Sequence, residues 1–182
     1  MIVSGADLVN VVERFVDDYD PRAIGVISLD VRLGDGLLVG VPGVSRISID
    51  ENGKPIYHGF TEEKHEIGDI VTLLPGCFYL AHTIEYFRMP SHLAGKLFLR
   101  STSGRSALDH MHAGLLEPGW HGQITMELSP VVETQFRVGD RIAQITFELV
   151  SQPVSYDGNY NGQRGPTVAA GGVVAVRVGG AA

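Results

Sequence analysis

Hydroxyl and guanidinium groups are concentrated in one short segment of the chain, which reads RSTSGR from Arg100 to Arg105. Arginine presents a planar fork of donors that suits bidentate contacts with phosphate oxygens, and serine and threonine hydroxyls add further donors. The candidate anion-binding residues of this polar turn are Arg100, Ser101, Thr102, Ser103 and Arg105. On spacing alone, an ordinary solvated turn is the simpler interpretation.

A single acid, Glu127, lies between apolar neighbours in the run ITMEL at Ile124–Leu128. Side chains of a strand alternate between two faces, so a charged residue flanked by apolar residues normally points to solvent. The other interpretation is a catalytic acid held in a desolvated site. The residues alone leave both interpretations open.

The composition is typical of one globular domain with many short strands. The chain has 182 residues, and its 23 glycines and 9 prolines are scattered between short apolar runs. Glycines and prolines at this spacing end short strands in turns, and so they favour a β-rich domain. A formal net charge of −7 argues against sequence-independent binding to nucleic acid, because such binding depends on a basic surface. We therefore expect a local cluster of donors to hold any anionic ligand.

The cysteine and histidine residues indicate which metal sites the chain can form and which cellular compartment suits it. Cys77 is the only cysteine, so we expect neither an intrachain disulfide nor a cysteine-based zinc site. His110 and His112 are two residues apart, but the sequence offers no further metal ligands beside them. The N-terminal run MIVSGADLVNVVERFVDD lacks the features of a signal peptide, and no segment is apolar enough to span a bilayer. We expect a cytoplasmic protein without a membrane segment.

The predicted elements are one short helix followed by strands. Ser4 is a candidate N-cap, and the apolar spacing after it predicts an amphipathic helix that ends near Asp17 to Asp20. Strands are predicted at 24–34, 37–39, 70–74, 78–86, 93–99, 123–128 and 141–149, with a hairpin around Glu51-Asn52-Gly53. Their spacing favours a mainly β sandwich or jelly-roll-like barrel. We expect residues 1–150 to form the domain and the Gly- and Pro-rich residues 151–182 to form an arm or lid of it.

Four separated segments together resemble the dCTP deaminase family of the dUTPase-like superfamily. They are SLDVRLGD at Ser28–Asp35, RSTSGR at Arg100–Arg105, AGLLEPGWHGQITMEL at Ala113–Leu128 and YNGQRGPT at Tyr160–Thr167. They occur in the family's order and, with the connecting segment Pro75–Phe98, cover most of the chain. The resemblance implies a distorted β-barrel of jelly-roll character with a short N-terminal helix. It also implies a homotrimer with active sites between the subunits.

The same resemblance implies an activity and assigns roles. The reaction would be hydrolytic deamination of dCTP to dUTP and ammonia, without zinc and with Mg²⁺ only accompanying the triphosphate. Glu127 would be the general base toward a water that attacks C4 of cytosine. Ser101 and Arg105, from a neighbouring subunit, would position that water and stabilise the developing charge. The implied substrate-binding residues are Arg100, Thr102, Ala113, Glu117, Ile124, Thr125, Tyr156, Tyr160, Gln163 and Arg164.

Some of these implied contacts are specific. Ala113 would border the base, Ile124 and Thr125 would offer backbone groups to the pyrimidine edge, and the segment from Tyr156 to Arg164 would cover the triphosphate. The segments Ala113-Gly114 and Gly162–Pro166 resemble the bifunctional members, which also hydrolyse dUTP to dUMP and pyrophosphate.

Two departures from the family pattern concern the triphosphate. Asn159 stands where the family usually has a lysine, and the segment after Arg105 is one residue shorter than usual. Arg164 is a candidate to compensate for the missing charge.

Several alternatives stay open on the sequence. The chain could be a dUTPase only, although its hairpin lacks the Asp-containing motif and the base-selecting tyrosine of those enzymes. It could be a non-catalytic nucleotide-binding regulator with the same fold, or a deaminase of a modified cytosine nucleotide. Inhibition by dTTP is a further open question.

Overall fold

The computed structural model describes residues 1–110 and 113–170, together with the backbone of 177–178. The helices are α1 (Gly5–Phe15) and α2 (Ser101–Arg105), and a short 3-10 helix spans Pro21–Ala23. The strands are β1 (Val16–Asp17), β2 (Leu29–Arg32), β3 (Gly36–Gly40), β4 (Arg46–Ile49), β5 (Pro55–His58), β6 (Thr61–Lys64), β7 (Ile70–Leu73), β8 (Phe78–Arg88), β9 (Leu93–Leu99), β10 (Leu108–His110), β11 (Leu115–Leu116), β12 (His121–Pro130), β13 (Thr134–Arg137), β14 (Arg141–Leu149), β15 (Val154–Ser155) and β16 (Arg177–Val178).

Two larger antiparallel sheets organise the described part of the chain. One has the order β10-β12-β8-β3-β6, with β1 also paired to β8, and the other has the order β11-β9-β14-β2. Smaller two-stranded pairings join β13 to β7, β15 to β16 and β4 to β5. Buried side chains of both larger sheets form one hydrophobic cluster, in which the rings of Phe87 and Phe147 lie 6.5 Å apart. The prediction of a mainly β fold with one short N-terminal helix is therefore confirmed.

A buried ion pair connects the two larger sheets. Glu85 on β8 has no exposed side-chain surface, and its Oε1 accepts a 2.7 Å bond from the Arg32 guanidinium on β2. The other carboxylate oxygen of Glu85 accepts a bond from the backbone N–H of Arg32 at 2.9 Å. Burial raises the pKa of the Glu85 carboxyl, although the hydrogen bonds from Arg32 act in the opposite direction. The pair fixes how β2 crosses β8.

The N-terminal helix is shorter than the sequence predicted. Ser4 occupies the N-cap position, but its side chain makes no capping hydrogen bond. The helix ends at Phe15 rather than near Asp17 to Asp20, because Val16 and Asp17 instead pair with β8. Leu8 and Val12 are its fully buried residues, so α1 packs against the core through a narrow apolar stripe.

Most of the strand predictions were accurate, but the predicted strand 24–34 is reduced to β2, Leu29–Arg32. Predicted strands 93–99 and 141–149 coincide with β9 and β14, and the hairpin around Asn52 is formed by β4 and β5. Strands β6, β10, β11 and β13 were not predicted, because each is short and β6 is exposed along its whole length. The RSTSGR segment forms the helix α2 instead of a turn. No helix in the described part of the chain is both long and apolar enough to cross a membrane.

Candidate active site

Strand β12, which carries Glu127, has an irregular pairing a few residues before this acid. The pairing of β12 with β8 shifts register between Gln123 and Thr125, so that Ile124 has no partner in the ladder. The Ile124 N–H instead donates to the hydroxyl of Thr83 at 3.0 Å, and that hydroxyl donates to the carbonyl of Glu85 at 2.9 Å. A β-bulge of this kind redirects the side chains that follow it. Here Thr125 and Glu127 both face a cavity.

This cavity has a volume of about 520 Å³, which is large enough for a nucleotide base and sugar. Its lining residues are Tyr57, Phe78, Leu80, Ala113, Leu115, Leu116, Glu117, Trp120, Ile124, Thr125, Glu127, Tyr156, Tyr160, Gln163, Thr167 and Ala169. The described lining is mainly apolar and aromatic, contains the two carboxylates of Glu117 and Glu127, and contains no lysine, arginine or histidine. The cavity is therefore suited to a base, but its described lining offers no positive charge to a triphosphate.

Glu127 lies at the cavity wall with one carboxylate oxygen buried. Its side chain is 23% exposed, and its Oε2 atom accepts no hydrogen bond from any described residue. The Nε2 atom of His110, a buried residue on the adjacent strand β10, lies 3.4 Å from this oxygen. The exposed part of the Glu127 side chain lines the cavity, and a carboxylate in such a position can accept a proton from a bound water.

The segment after β14 returns to the cavity and covers one side of it. A turn at Pro118-Gly119 starts this contact, because the Pro118 carbonyl accepts a 2.7 Å bond from the Tyr156 N–H. Gly119 has a φ of +81°, and a Cβ there would lie 3.1 Å from the backbone of Ser155. Only glycine adopts this positive φ readily and also leaves room for the backbone of Ser155. Burial raises the pKa of the Tyr156 phenol, so that its hydroxyl stays neutral beside the cavity.

We call residues 156–170 the C-terminal arm. The indole Nε1 of Trp120, a 7% exposed residue, donates to the Tyr160 carbonyl at 3.0 Å. The side-chain amide of Gln163 donates to the Gln123 carbonyl at 2.7 Å, and the Thr167 N–H donates to the Thr125 hydroxyl at 3.2 Å. The arm is thus bonded to the start of β12, directly beside the bulge.

Helix α2 lies outside this cavity. The Arg100 guanidinium is paired with Asp30 at 3.1 Å and also donates to the Arg141 carbonyl at 3.2 Å. The Ser103 hydroxyl is buried and donates to the Ile142 carbonyl at 2.7 Å. These bonds fix the helix against β2 and β14.

The predicted residues of α2 present a polar surface to solvent. Ser101, Thr102 and Arg105 are all exposed. Among the described residues, Arg105 has no ion-pair partner.

Arg164 does not line this cavity but lies at a second one. Its guanidinium stacks on the ring of Tyr86 at 4.5 Å from the ring centroid, and it lines a second, polar cavity of about 550 Å³. Asp35 and Lys64 form an ion pair in this second cavity, and Lys64 lowers the pKa of the Asp35 carboxyl. The expected compensation by Arg164 for the charge missing at Asn159 stays a prediction.

Comparison with known proteins identifies the relatives of this chain. The sequence model of one protein family, described as dCTP deaminase-like, matches residues 2–150. The chain belongs to the dCTP deaminase-like family. The resemblance inferred from the four sequence segments is thereby confirmed.

Curated relatives and one solved structure agree with this membership. A protein of Corynebacterium efficiens named "dCTP deaminase, dUMP-forming" is 33% identical over 174 residues, which cover 86% of this chain and 85% of that relative. A protein of the same name from Corynebacterium jeikeium is 31% identical over 188 residues, covering 92% and 95% of the two chains. The crystal structure of the 2'-deoxycytidine 5'-triphosphate deaminase from Agrobacterium tumefaciens superposes with a TM-score of 0.61 at 19% identity, covering 82% of this chain and 48% of that chain. This last likeness shows a shared fold.

In this dCTP deaminase-like chain, the structure assembles most of the predicted site residues in one place. Those that line the cavity are Ala113, Glu117, Ile124, Thr125, Glu127, Tyr156, Tyr160 and Gln163. Those that lie elsewhere are Arg100, Ser101, Thr102 and Arg105 on α2, and Arg164 beside the second cavity. The N–H of Ile124 is already bonded to Thr83 and so does not read a base edge.

Sequence reasoning missed several residues of the site. Tyr57, Phe78 and Leu80 line the cavity, and His110 approaches Glu127. Tyr57 belongs to the β4–β5 hairpin, in which the sequence analysis marked no functional residue. The alternation of Phe78 and Leu80 on β8 was the one signal that could have placed two of them on a common face.

Of the two histidines His110 and His112, the structure describes one. His112 lies outside the described residues, whereas His110 is placed beside Glu127. Within residues 1–110 and 113–170, no group of three or more His, Cys, Asp or Glu side chains is arranged to hold a metal ion.

Proposed function

We propose that this chain deaminates dCTP to dUTP and then hydrolyses dUTP to dUMP and pyrophosphate. The observation that carries the proposal is the position of Glu127, a partly exposed acid in the wall of a mainly apolar cavity of about 520 Å³. The relatives named "dCTP deaminase, dUMP-forming" support the combined activity.

The deamination follows from the position of Glu127. Its carboxylate accepts a proton from a water as the water oxygen forms a bond to C4 of cytosine, and it passes this proton to the ring nitrogen N3, which leaves a tetrahedral C4 with a hydroxyl and an amino group. The carboxylate then takes the proton of that hydroxyl and delivers it to N4 as the C4–N4 bond breaks, so that ammonia departs and the C4 carbonyl of uracil forms. Dispersion contacts with the apolar lining hold the base, and the carbonyl of Ile124 and the backbone of Thr125 are proposed to read its edge.

The second reaction breaks the bond between the α- and β-phosphates of dUTP by addition of water, which yields dUMP and pyrophosphate. Mg²⁺ is proposed to arrive with the triphosphate, because this ion keeps most of its waters and typically binds nucleotide phosphates. We place no protein ligand set around it. Inhibition by dTTP stays a prediction of the family resemblance.

A homotrimer with shared sites is part of the proposal. Among the described residues, the cavity lining offers two carboxylates and no cation, whereas a triphosphate carries several negative charges. Ser101 and Arg105 are exposed on α2, and Arg105 has no ion-pair partner among described residues. We propose that α2 of a second copy meets the cavity, so that Arg105 and Ser101 complete it.

The domain organisation follows from the same geometry. Residues 1–150 are proposed to form the catalytic domain, and residues 151–182 an arm and lid of that domain, because the arm is bonded to β12 at Gln123 and Thr125. A cytoplasmic location is proposed because deoxynucleoside triphosphates are made and used there.

A product assay tests the function. Purified protein is incubated with dCTP and Mg²⁺, and ammonia, dUTP, dUMP and pyrophosphate are quantified together. Equal amounts of ammonia, dUMP and pyrophosphate are expected. Ammonia with dUTP alone would restrict the chain to deamination. Conversion of dUTP but not dCTP would indicate a dUTPase, and tight dCTP binding without turnover would indicate a nucleotide-binding regulator.

A further inference from the structure

The β4–β5 hairpin projects from the main sheets but reaches the candidate active site through one residue. Most of β4 is exposed, and β4 and β5 pair only with each other among the described strands. Tyr57 on β5 is half-buried and lines the cavity. Its ring meets the edge of Phe60 at a centroid distance of 5.0 Å, and Phe60 in turn meets Phe78 at 6.4 Å. This aromatic row fixes Tyr57 relative to β8.

The hydroxyl of Tyr57 is bonded to the C-terminal arm. It accepts a 3.2 Å hydrogen bond from the backbone N–H of Ala169, although the two residues are 112 positions apart in the chain. The next residue, Ala170, donates its N–H to the hydroxyl of Tyr160 at 3.0 Å. The hairpin therefore holds the last described part of the arm, and that part holds Tyr160.

Resting on the function proposed above, we propose that Tyr57 is a substrate-positioning residue, whose hydroxyl anchors the C-terminal arm at the cavity while its ring lines the same cavity. The arm supplies Tyr156, Tyr160, Gln163, Thr167 and Ala169 to the lining. Substrate contacts with these residues depend on the arm being in place. Because the bond to Tyr57 already orders part of the arm in the free protein, less conformational entropy is lost when the nucleotide binds.

The chain contains a built-in reporter of the arm. Trp120 is the only tryptophan, and the Tyr160 carbonyl covers it through the 3.0 Å bond to its indole. Release of Ala169 loosens Ala170 and hence Tyr160, so that water and small quenchers gain access to Trp120. Acrylamide quenching of tryptophan fluorescence thus measures arm detachment without any turnover.

The test compares two tyrosine variants that each lose one hydroxyl bonded to a backbone N–H. In Tyr57→Phe the lost partner is Ala169, and in the control Tyr79→Phe it is Leu74, whose N–H donates to the Tyr79 hydroxyl at 2.8 Å. Tyr79 does not line the cavity. For Tyr57→Phe we expect a larger quenching constant and a KM for dCTP raised roughly two- to tenfold, the range for one lost hydrogen bond, with kcat retained. For Tyr79→Phe we expect a lower Tm with unchanged quenching and KM.

The outcomes separate this proposal from the proposed function. Wild-type quenching in Tyr57→Phe would overturn the anchor, and increased quenching with an unchanged KM would overturn the positioning role. If the wild-type protein does not convert dCTP, the proposed function fails, whereas the quenching comparison still decides whether Tyr57 anchors the arm.

Discussion

Glu127 is the residue on which the proposed chemistry depends, and its flanking sequence did not determine its role. An acid between Met126 and Leu128 fits an outward-facing strand position equally well. The β-bulge at Ile124 and the returning arm convert that outward face into a cavity wall. The sequence could not predict this, because the arm residues that enclose Glu127 follow it by about thirty to forty positions and the bulge depends on a distant hydroxyl.

Replacing Glu127 by Gln should remove the proton acceptor while leaving a side chain of nearly the same shape. We expect kcat for ammonia release to fall by about two to four orders of magnitude, the usual contribution of general acid–base catalysis, with dCTP binding retained. Steady-state kinetics and calorimetric titration with dCTP measure the two quantities. The matched control is Glu133→Gln at an exposed position, which should behave as wild type. Equal loss of binding and turnover would instead make Glu127 a binding residue.

At the scale of elements, the site depends on how β8 meets β12. Thr83 is fully buried, and its single hydroxyl connects the Ile124 N–H to the Glu85 carbonyl, while Glu85 is paired with Arg32 on the other sheet. Both strands were predicted from their apolar runs, but the bulge was not. Ile124 and Thr83 are 41 positions apart, so no local pattern signals their bond.

Thr83→Val tests this connection with a side chain of similar shape that lacks the hydroxyl. The buried Ile124 N–H then has no acceptor, which costs about 1–3 kcal/mol of unfolding free energy. We also expect kcat to fall by roughly ten- to a hundredfold, because Glu127 follows the bulge and small displacements of reacting groups are costly. Urea unfolding and kinetics at a temperature well below Tm measure these effects. Thr83→Ser keeps the hydroxyl and should restore kcat; if it does not, the methyl group rather than the hydrogen bond matters.

A second set of contacts holds the start of β14 next to α2. Asp20 accepts bonds from Arg22 and from Arg141 at 2.9 Å, and Arg141 lies beside the Asp30 that pairs with Arg100. These guanidinium groups hold the pKa of the Asp20 carboxyl well below its usual range. A lowered pKa in the folded state means that the ionised carboxylate stabilises the fold. This contribution is complete above the ordinary pKa and is lost as the pH falls through the folded-state pKa.

Asp20→Asn should therefore lower the urea midpoint at pH 7, and the difference from wild type should narrow as the pH falls below about 4. Asparagine can still accept the bond from the Arg22 N–H, so the variant isolates the charge. Urea titrations between pH 3 and 7, with the exposed Glu51→Gln as the control for a lost negative charge, measure the effect. A difference that stays constant with pH would contradict an electrostatic role for Asp20.

At the scale of the whole molecule, the charges of one subunit do not match the proposed substrate. The chain has a formal net charge of −7, and the described residues that line its cavity include two carboxylates and no cation. The donors that the sequence marked as anion-binding lie on α2, which other bonds fix against β2 and β14. Leu115 at the cavity and Phe98 nearby on β9 are 61% and 49% exposed, respectively. An apolar rim around an incomplete polar site is the expected surface for a neighbouring copy.

Mixing two inactive variants tests whether Glu127 and Arg105 of different subunits share one site. Glu127→Gln and Arg105→Ala should each be inactive alone, because each lacks one half of every site. Co-expressed in equal amounts, they should regain about one quarter of the wild-type activity, since half of the cavities keep Glu127 and half of the adjoining subunits in a closed ring keep Arg105. Ammonia release measures the recovery, and light scattering on the same sample should give three copies. An inactive mixture with intact assembly would mean that both residues serve the same subunit, and activity in a monomer would reject the shared site altogether.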